Sequence, residues 1–574
     1  MYMSLVFSLT EFIENCLKEV IPDANLEKVV LEPAKDQTHG DLASNAAMVC
    51  AKAAGMSPRD LAHKLIEKIE EHPAISSAAI AGPGFINLTL HQSVLRFELT
   101  RILSSNHKYG NSNMGAGKNA HVEYVSTNPT GPMHIGHGRN AVLGDTIANL
   151  LEKVGYKVTR EYYVNDAGGQ TIALGRSAYV RYLQALGKEI SEADFDVDMY
   201  KGDYLIPVGQ KLAEVYGDSL LNKPEAEWLE PVRLFTIDAM MDYIRADLKL
   251  LNIVMEYASE SAITKEGWVD KALKLLETKG DVYQGVLEKP KGHQVDDWEE
   301  RPQVLFKATA YGDDIDRALQ KSDSTWTYFA GDVGYHYHKI SRNYDLLVNI
   351  LGFDHVGYVK RLTSAVKALK ADLPYVIKTC QMVNFVDNGQ PIRMSKRAGN
   401  FITINQLVER VGKDVVRYMM VSRHQDMIID FDFTQVIEQS KDNPLFYIQY
   451  ANARIHSVLR HAAEVFKNID QNPSLESLVD EAELNLIKCL IQWPRVVASA
   501  AHHLEPHRIA NYLYDLAGMF HSLWNKGKEN TQLRFIDEKS QAQTADRLAL
   551  LRSTALVITE GLDLLGITPV EEMR

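Results

Sequence analysis

The sequence predicts a multidomain α/β protein: an α+β N-terminal domain, a central domain with a doubly wound parallel sheet, and an all-α C-terminal bundle. Three observations lead to this fold class. At 574 residues the chain is too long for a single hydrophobic core. Strand-like and helical segments alternate in its central part, which is typical of a parallel sheet covered by helices. From residue 414 onward the hydrophobic pattern is helical almost throughout.

The composition is that of an ordinary globular protein, with 45% hydrophobic and 24% charged residues and no apolar run long enough to span a bilayer. A formal net charge of −13 argues against a protein that coats nucleic acid indiscriminately, but it leaves room for a local basic surface. The four cysteines lack metal-ligand spacing, and the first residues lack a basic leader. We therefore expect a cytoplasmic protein without disulfides, zinc or a membrane segment.

Residues 1–110 are expected to form the N-terminal domain. Helical periodicity predicts helices at Leu9–Val20 and Pro58–Ile69, and Gly82–Leu90 has the pattern of a turn followed by a strand. The polar stretch Ser104–Ala120, rich in glycine and asparagine, is typical of a linker. The pattern of the chain changes after this stretch, which indicates a domain boundary.

The central domain, residues 118–413, begins with a strand–helix–strand unit. His121–Ser126 is a short strand-like run. From His134 apolar residues recur at helical spacing up to Gly155, which suits a C-terminal cap. Tyr156–Asn165 is strand-like again. Such a unit is the building block of a Rossmann-like doubly wound sheet.

Two further segments complete the predicted organisation of the central domain. Residues 182–303 are rich in charge and in amphipathic helix, which favours a largely helical insertion. Tyr344–Gly352 is predicted to be a buried strand near the edge of the sheet. In the C-terminal domain, residues 414–574, Leu445–Leu459 and Arg508–Trp524 have broad apolar faces, as expected in a helical bundle.

The segment PTGPMHIGHGRN, residues 129–140, lies where the predicted strand gives way to helix. A helix N-terminus attracts anions, glycine lets a flat ligand approach the backbone, and histidines can donate to phosphate oxygens. The groups in question are Gly131, Gly136, His134 and His137. Two alternatives are a Pro-Gly turn whose histidines only cap the helix, and a histidine pair that shares a metal. No cysteine or further histidine nearby completes a metal-ligand set, which leaves phosphate and the plain turn as the main alternatives.

A second segment, GQPIRMSKRAGN (residues 389–400), carries Arg393, Lys396 and Arg397 on a glycine-flanked stretch. Three cations on such a loop can close on a triphosphate and stabilise the charge of departing pyrophosphate. Taken alone, a solvated basic loop is the simpler interpretation. Together the two segments resemble the HIGH and KMSKS motifs of class I aminoacyl-tRNA synthetases. The first motif is complete, and in the second Arg393 replaces the first lysine.

The resemblance extends to the arginyl-tRNA synthetase family. Five segments are similar to blocks of that family and follow in the same order: EYVSTNPTGPMHIGHGRNAVLGD, YYVNDAGGQ, TYFAGDVGYHYHK, GFDHVGYVKR and NPLFYIQYANARIHSVLR. They cover the chain from about residue 40 to the C-terminus and are more specific than either ATP motif alone. The resemblance implies a Rossmann-like catalytic domain, an N-terminal domain that binds the tRNA elbow, and a helical anticodon-binding domain.

Several residues suit an arginine pocket. Glu123 lies in an otherwise apolar strand, where an unpaired carboxylate is costly and requires a cation. Asn128 ends the same strand, and Tyr328 and Asp332 are four residues apart, so that on a helix they share a face. Taken singly, a core tyrosine or an ordinary helix carboxylate is the simpler interpretation. The resemblance implies that these four residues, together with His355, bind L-arginine.

The resemblance also implies the chemistry. Arginine would be activated by ATP to arginyl-adenylate and pyrophosphate, with Mg²⁺ bridging the phosphates, and then transferred to the 3′-terminal ribose of tRNA(Arg). The implied catalytic residues are His134, His137, Lys396 and Arg397. The implied ATP-binding residues are Pro129, Thr130, Gly131, His134, Gly136, His137, Met394, Ser395 and Lys396. In this family activation usually requires bound tRNA, and we expect the same requirement here.

The C-terminal bundle is expected to contact the anticodon loop, because single-stranded bases stack on aromatic side chains and bond to polar ones. The predicted tRNA contacts are Tyr447, Tyr450, Asn452 and Arg454. The alternative is that the aromatic residues only fill the core of the bundle. We expect a monomer whose partners are tRNA(Arg), L-arginine and ATP, without a DNA or membrane partner.

Other functions fit part of this pattern. A cytidylyltransferase or a small-acid adenylating ligase also uses an HxGH turn on a nucleotide-binding fold, but neither has a use for a helical RNA-binding tail. A synthetase for cysteine would require zinc ligands. A tRNA-binding relative without catalysis is the non-enzymatic alternative, and the intact His134, His137 and Lys396 argue against it.

Overall fold

The computed structural model describes residues 4–34, 36, 39–105, 107–191, 195–287, 301–387, 389–392, 401–440, 442–471 and 473–573. Its contacts divide the chain into two compact units. The first unit contains residues 1–114, 439–504 and 508–574, and the second contains residues 115–438 and 505–507. Among the described residues, no helix combines the length and the apolar character needed to cross a membrane.

The N-terminal part of the first unit is a small antiparallel sheet flanked by helices, which confirms its α+β character. The strand order is β1-β2-β4-β3. The strands are β1 (Leu31–Pro33), β2 (Leu42–Ser44), β3 (Ile75–Ala81) and β4 (Phe85–Leu90), and the helices are α1 (Leu5–Val20), α2 (Ala46–Ala54), α3 (Pro58–Ile69) and α4 (Gln92–Ser104). The start of α3 follows from its sequence, because the Ser57 side chain accepts the N–H of Asp60 and Pro58 occupies the first turn.

The second unit is built on a five-stranded parallel sheet with the order β12-β11-β5-β6-β7. Its strands are β5 (Asn119–Glu123), β6 (Lys157–Val164), β7 (Glu256–Ser259), β11 (Leu346–Gly352) and β12 (Tyr375–Cys380). This is the doubly wound strand order of a Rossmann-like fold, so the predicted fold class is confirmed. The winding reverses between β5 and β11, which makes this pair of strands the topological switch point.

Helices and two smaller sheets surround the parallel sheet. The helices are α5 (Ile135–Lys153), α6 (Gly169–Ala185), α7 (Ile206–Tyr216), α8 (Glu225–Leu250), α9 (Glu260–Lys265), α10 (Trp268–Thr278), α11 (Tyr328–Ser341), α12 (Val359–Leu369), α13 (Ile404–Val411) and α14 (Lys413–Val421). The small sheets have the orders β10-β9-β8 and β14-β13-β15. Their strands are β8 (Val282–Gly285), β9 (Gln303–Phe306), β10 (Arg317–Gln320), β13 (Val383–Asp387), β14 (Gln390–Pro391) and β15 (Ile429–Asp432).

Alternating residues of β5 and its extension lie on opposite faces of the parallel sheet. On one face Tyr124 packs so closely against α5 that a Cβ at Gly144 would lie 2.2 Å from its Cγ. On the other face Glu123 contacts Lys339 of α11. The sheet is therefore covered by α5 on one side and by α11 on the other.

The observed organisation differs from the expected boundaries at two points. The expected helical insertion at residues 182–303 contains α7 and α8, but also β7 of the main sheet and β8. The strand β7 is short and has no long apolar run in its sequence, EYAS, which is why periodicity misses it. In addition, α14 packs on α5 through the ion pair of Arg417 and Asp145 (2.6 Å), so the second unit continues to residue 438, beyond the expected boundary at 413. The three-domain boundaries stay a prediction.

The C-terminal part of the first unit is a helical bundle, as predicted. Its helices are α15 (Pro444–Val465), α16 (Glu481–Ile491), α17 (Trp493–His503), α18 (His507–Glu529) and α19 (Gln541–Leu564). Within this unit the bundle is joined to the N-terminal residues by polar contacts. The Lys488 ammonium lies 2.6 Å from the Asp41 carboxylate, and the Trp493 indole donates to the carbonyl of Tyr109.

Candidate active site

The crevice at the switch point is bordered by the last residues of β5 and β11 and by the start of α5. In doubly wound sheets, ligands bind at the carboxyl ends of the strands on either side of the switch point. The chain leaves β5 at Glu123 and enters α5 at Ile135, so the histidine segment lies at this edge of the sheet. The fold therefore predicts a ligand site where the sequence motif lies.

The two histidines of the motif cap the start of α5. The Nδ1 atom of His134 accepts the N–H of Gly136 at 3.1 Å, and Nδ1 of His137 accepts the N–H of His134 at 3.4 Å. The two rings stack with their centroids 3.7 Å apart. Because each Nδ1 accepts a hydrogen bond, the proton of each neutral ring is on Nε2, which is then the donor atom. Capping the helix and presenting N–H donors are thus compatible roles.

The glycines of the motif are required by the packing of the protein itself. A Cβ at Gly131 would lie 2.9 Å from Cζ of Tyr204, whose hydroxyl donates to the Thr130 carbonyl at 2.7 Å. A Cβ at Gly136 would lie 2.9 Å from Cε1 of His134. Of the predicted ATP-binding residues, Pro129, Thr130 and Gly131 are buried. Gly136 is exposed and can offer its backbone to a ligand.

The turn that follows β5 is strained. Val125 and Ser126 have φ angles of 69° and 41°, in the left-handed region that residues with side chains rarely adopt. Such conformations cost about 1–3 kcal/mol each and persist only where neighbouring groups enforce them. The N–H of Val125 donates to Oδ1 of Asn140 at 2.6 Å. The Oγ1 atom of Thr127, the next residue, lies 3.2 Å from Nε2 of His137, so the turn reaches the histidine pair.

The predicted residues of the second motif lie outside the described residues: Arg393, Met394, Ser395, Lys396 and Arg397. The chain that follows them is bonded to the histidine turn. The N–H of Ile135 donates to the carbonyl of Ile402, and the N–H of Ile404 donates to the carbonyl of Met133, both at 3.0 Å. The described end of this segment therefore lies against the first motif.

Glu123 already has a cation within the protein. Its carboxylate is 8% exposed and accepts a hydrogen bond from the buried ammonium of Lys339. The side-chain amide of Asn349 donates to the same carboxylate at 2.9 Å, and the Ser126 hydroxyl donates to its other oxygen at 3.2 Å. The sequence indicated that Glu123 requires a cation, and Lys339 meets that requirement.

A second set of carboxylates converges next to Glu123. The pKa of the Tyr163 hydroxyl is raised, first by burial and then by four nearby carboxylates, those of Glu260, Asp332, Glu123 and Asp166. All four acids therefore lie near this side chain. Burial, followed by Glu123 and Glu260, raises the pKa of Asp332 to about 7. Burial and the Asp166 carboxylate also raise the pKa of Glu260. This acidic cluster, defined as Asp166, Glu260 and Asp332, favours the arrival of a cation.

Sequence reasoning missed two members of the acidic cluster, Asp166 and Glu260. Both lie just beyond strands of the parallel sheet: Asp166 is two residues after the end of β6, and Glu260 follows β7 directly. Asp166 is fixed by the N–H and the hydroxyl of Ser261, each at 2.8 Å. The signal that could have found them is their position at the carboxyl ends of strands, but it requires that β7 be recognised first.

The remaining predicted arginine ligands are exposed residues. Tyr328, the first residue of α11, is 70% exposed one turn before Asp332. Asn128 is exposed and donates to Oε1 of Gln170 at 2.8 Å. His355 is exposed in the short helical turn after β11, with Nε2 3.5 Å from the Asp354 carboxylate. All three have surface that a ligand can reach.

The predicted tRNA contacts on α15 divide into two kinds. The Arg454 guanidinium lies over the rings of Tyr450 (4.0 Å to the centroid) and Trp524 (4.9 Å), and it donates to the Tyr450 hydroxyl at 2.6 Å. Tyr447 is partly exposed and lies near this group. Asn452, in contrast, is fully buried and donates to the carbonyl of Val570. Asn452 therefore holds the C-terminal segment and offers no surface to a base.

Three family models match the chain in order along its length. They are the arginyl tRNA synthetase N terminal domain at residues 8–90, the catalytic domain of tRNA synthetases class I (R) at 98–201, and the DALR anticodon binding domain at 448–573. Together with a Rossmann-like sheet whose switch point carries a histidine-capped helix, these matches define a class I aminoacyl-tRNA synthetase.

Full-length relatives are similar over nearly the whole chain. The arginine–tRNA ligase of Parvibaculum lavamentivorans is 51% identical over 563 residues, which covers 97% of this chain and 96% of the relative. That of Roseobacter denitrificans is 47% identical over 584 residues and covers all of both chains. The chain belongs to the arginine–tRNA ligase family. It is an enzyme that attaches arginine to tRNA with ATP as a substrate, so the predicted family and activity are confirmed.

Solved structures share the fold. The arginyl-tRNA synthetase of Thermus thermophilus aligns with a TM-score of 0.76 at 20% identity, over 99% of this chain and all of that one. The Plasmodium falciparum enzyme aligns with a TM-score of 0.73 at 18% identity, over the whole of both chains. At these identities the likeness concerns the fold alone.

Proposed function

We propose that arginine and ATP react in the switch-point crevice of this enzyme. The observation that carries this proposal is the convergence of the acidic cluster and Glu123 around Tyr163. Glu123 lies two residues before the strained turn that leads to the histidine pair. Arginine brings two positive groups, and ATP brings negative phosphates. An acidic pocket next to an anion-attracting helix N-terminus suits this pair of ligands.

The guanidinium group of arginine binds to Asp332 and Glu260 in this proposal. A planar guanidinium pairs with carboxylates through two hydrogen bonds. Burial and neighbouring carboxylates raise the pKa values of these two acids, so a cationic ligand would stabilise their charged forms. Tyr328 contributes a hydroxyl at the rim. Glu123 is balanced by Lys339, so we assign it, with Asn128, to the weaker task of orienting the α-ammonium group.

ATP binds along the start of α5. The Nε2–H groups of His134 and His137 donate to its phosphates, and the exposed backbone of Gly136 admits the nucleotide. Lys396 and Arg397 stabilise the departing pyrophosphate. Support for this role comes from the backbone bonds that hold residues 401–404 against residues 133–135, because they bring the end of that segment to the phosphate site.

The reaction has two steps. A carboxylate oxygen of arginine attacks the α-phosphorus of ATP, a new P–O bond forms, and the bond to pyrophosphate breaks with its electrons on the leaving group. The 2′-hydroxyl of the terminal ribose of tRNA(Arg) then attacks the arginyl carbonyl, AMP departs, and the hydroxyl proton is released. Positioning and charge stabilisation supply most of the rate enhancement in such transfers.

Mg²⁺ enters as part of the ATP substrate. Among the described residues there is no group of three or more His, Cys, Asp or Glu side chains that could hold a metal ion. Mg²⁺ prefers phosphate oxygens and water over a full set of protein ligands, so it fits as the Mg²⁺–ATP complex.

The C-terminal bundle binds the anticodon loop through the exposed parts of Tyr447, Tyr450 and Arg454. A guanidinium stacked on two aromatic rings provides a flat surface for an unpaired base. The predicted elbow-binding role of the N-terminal domain is part of the same proposal. We further propose that the enzyme acts as a monomer in the cytoplasm.

Aminoacylation tests the proposal directly. Purified enzyme with arginine, Mg²⁺–ATP and total tRNA should charge arginine and no other standard amino acid. ATP–pyrophosphate exchange should depend on added tRNA, and exchange at full rate without tRNA would contradict this requirement. Lys396→Ala should lower kcat by about 100-fold, the usual effect of removing one charge-stabilising donor. An unchanged kcat in that variant would exclude Lys396 from the chemistry.

A further inference from the structure

The side chain of Asn140 crosses the switch point. It lies on α5 and is 9% exposed. Its Oδ1 atom accepts the N–H of Val125, in the turn after β5, at 2.6 Å. Its Nδ2 atom donates to the carbonyl of Ile350 in β11 at 3.0 Å. One amide therefore bonds to the chain on both sides of the crevice.

The turn that Asn140 holds carries the groups of the proposed site. Val125 and Ser126 have left-handed backbone conformations, which are unfavourable for residues with side chains unless a neighbour enforces them. The Ser126 hydroxyl donates to Glu123, and Thr127 lies against His137. If Val125 returned to an extended conformation, both contacts would be lost.

We infer that Asn140 is a positioning residue for adenylate formation. It holds residues 125–127 in the strained turn and thereby fixes Glu123 and His137 relative to each other. This inference rests on the proposed roles of these two residues. The two bonds require an acceptor and a donor on the same short side chain. Asparagine supplies both, whereas leucine, which is of similar size, supplies neither.

A double-mutant cycle tests the inference. The variants are Asn140→Leu, Val125→Gly and the double variant, because glycine adopts a left-handed conformation without a steric penalty. The matched control is Thr146→Val, which removes another buried hydrogen bond of α5, from the Thr146 hydroxyl to the Val142 carbonyl. Each protein is assayed for tRNA-dependent ATP–pyrophosphate exchange, and its thermal unfolding midpoint is measured so that assays are made on folded protein.

Asn140→Leu should lower kcat/KM for arginine by about 100-fold, the scale expected for a small misplacement of reacting groups. In the Val125→Gly background the same substitution should lower kcat/KM for arginine by only about tenfold, because glycine adopts the left-handed conformation of the turn without help from Asn140. Thr146→Val should leave kcat/KM within about twofold. Equal losses in both backgrounds, or a lower midpoint with unchanged kcat/KM, would overturn the inference.

Two further variants separate this inference from the proposed site. If Asn140→Leu is fully active while Glu123→Gln and His137→Ala are inactive, the inference fails alone. If those two variants are also fully active, the proposed site fails. If Asn140→Leu does not fold, Asn140→Gln takes its place, because it keeps both polar groups but on a longer side chain. It should lower kcat/KM more in the wild-type background than in the Val125→Gly background.

Discussion

The buried carboxylate of Glu161 and the acidic cluster differ in how their charge is balanced. Glu161 is buried between the His121 ring (3.0 Å), the Arg342 guanidinium (2.6 Å) and the Tyr335 hydroxyl (2.7 Å). Burial alone would raise the pKa of Glu161, but the hydrogen bonds from His121 and Arg342 outweigh it and hold the pKa well below its usual range. This group carries its own cations and hydrogen-bond donors.

The acidic cluster has the opposite balance. Burial and the neighbouring acids Glu123 and Glu260 raise the pKa of Asp332 to about 7, and the positive charges of Arg361 and Lys339 only partly offset them. Carboxylates that are buried among other carboxylates are stabilised when a proton or a cationic ligand binds to them. In line with the proposed site, we expect Glu161 to have a structural role and the acidic cluster to bind the cationic substrate.

The largest effect is expected for Asp332→Asn. Loss of a carboxylate that pairs with the guanidinium should lower kcat/KM for arginine by about 1,000-fold, on the scale of 2–5 kcal/mol for a desolvated charge pair. The free energy of unfolding at neutral pH should increase, since like-charge repulsion is removed. Steady-state exchange assays and thermal unfolding measure the two effects. The exposed Asp372→Asn serves as control, and an unchanged kcat/KM for Asp332→Asn would remove the acidic cluster from the arginine site.

Glu161→Gln should show the reverse pattern. Removal of one partner of a buried ion pair leaves Arg342 without its counterion and should destabilise the fold by about 3 kcal/mol. The KM for arginine should stay within about twofold, because this group does not contact the substrate. Chemical denaturation and kinetics at a temperature where the variant is folded measure both quantities. A large rise in KM with little destabilisation would break the comparison.

The KM for arginine should depend on pH through Asp332. With a pKa near 7, this group is neutral in acid and cannot pair with a guanidinium, so the KM should rise as the pH falls. Between pH 8 and pH 6 a single group of this pKa produces a change of about tenfold. The dependence should be absent in Asp332→Asn. If the variant keeps the same profile, another group is responsible.

The smallest effect is expected at Tyr328, whose side chain is 70% exposed at the rim. Tyr328→Phe removes one solvated hydroxyl and should raise the KM for arginine by about threefold, on the scale of one hydrogen bond. The kcat should be nearly unchanged. Tyr283→Phe, which removes an exposed hydroxyl bonded to Asp316, is a matched control. A large loss in kcat for Tyr328→Phe would assign it a larger part in the reaction.

Local signals were sufficient for much of the fold. Helix α3 has the predicted bounds because Ser57 and Pro58 define its start, and α5 and β6 follow from periodicity alone. The motif comparison led to the family and, through it, to the remaining architecture. The short strand β7 was missed, because four residues without an alternating pattern give no signal until the sheet that pairs with them is known.

The candidate site was only partly predictable for a similar reason. The sequence marks Glu123 as a carboxylate in need of a cation, but it cannot say whether a ligand or Lys339, 216 residues away, supplies it. Asp166 and Glu260 approach Asp332 only through the order of the strands. Asn452 carries no local sign of burial, since its environment is set by the C-terminal segment around Val570.

The histidine pair at the start of α5 shows why another hydrogen-bond donor could not replace either ring without loss. Each ring uses its Nδ1 lone pair to receive a main-chain amide hydrogen. A side chain such as lysine could donate to a phosphate, but it has no such lone pair and would leave that amide without its acceptor. Imidazole can therefore serve two neighbours at once, the backbone through one nitrogen and, in the proposed site, the nucleotide through the other.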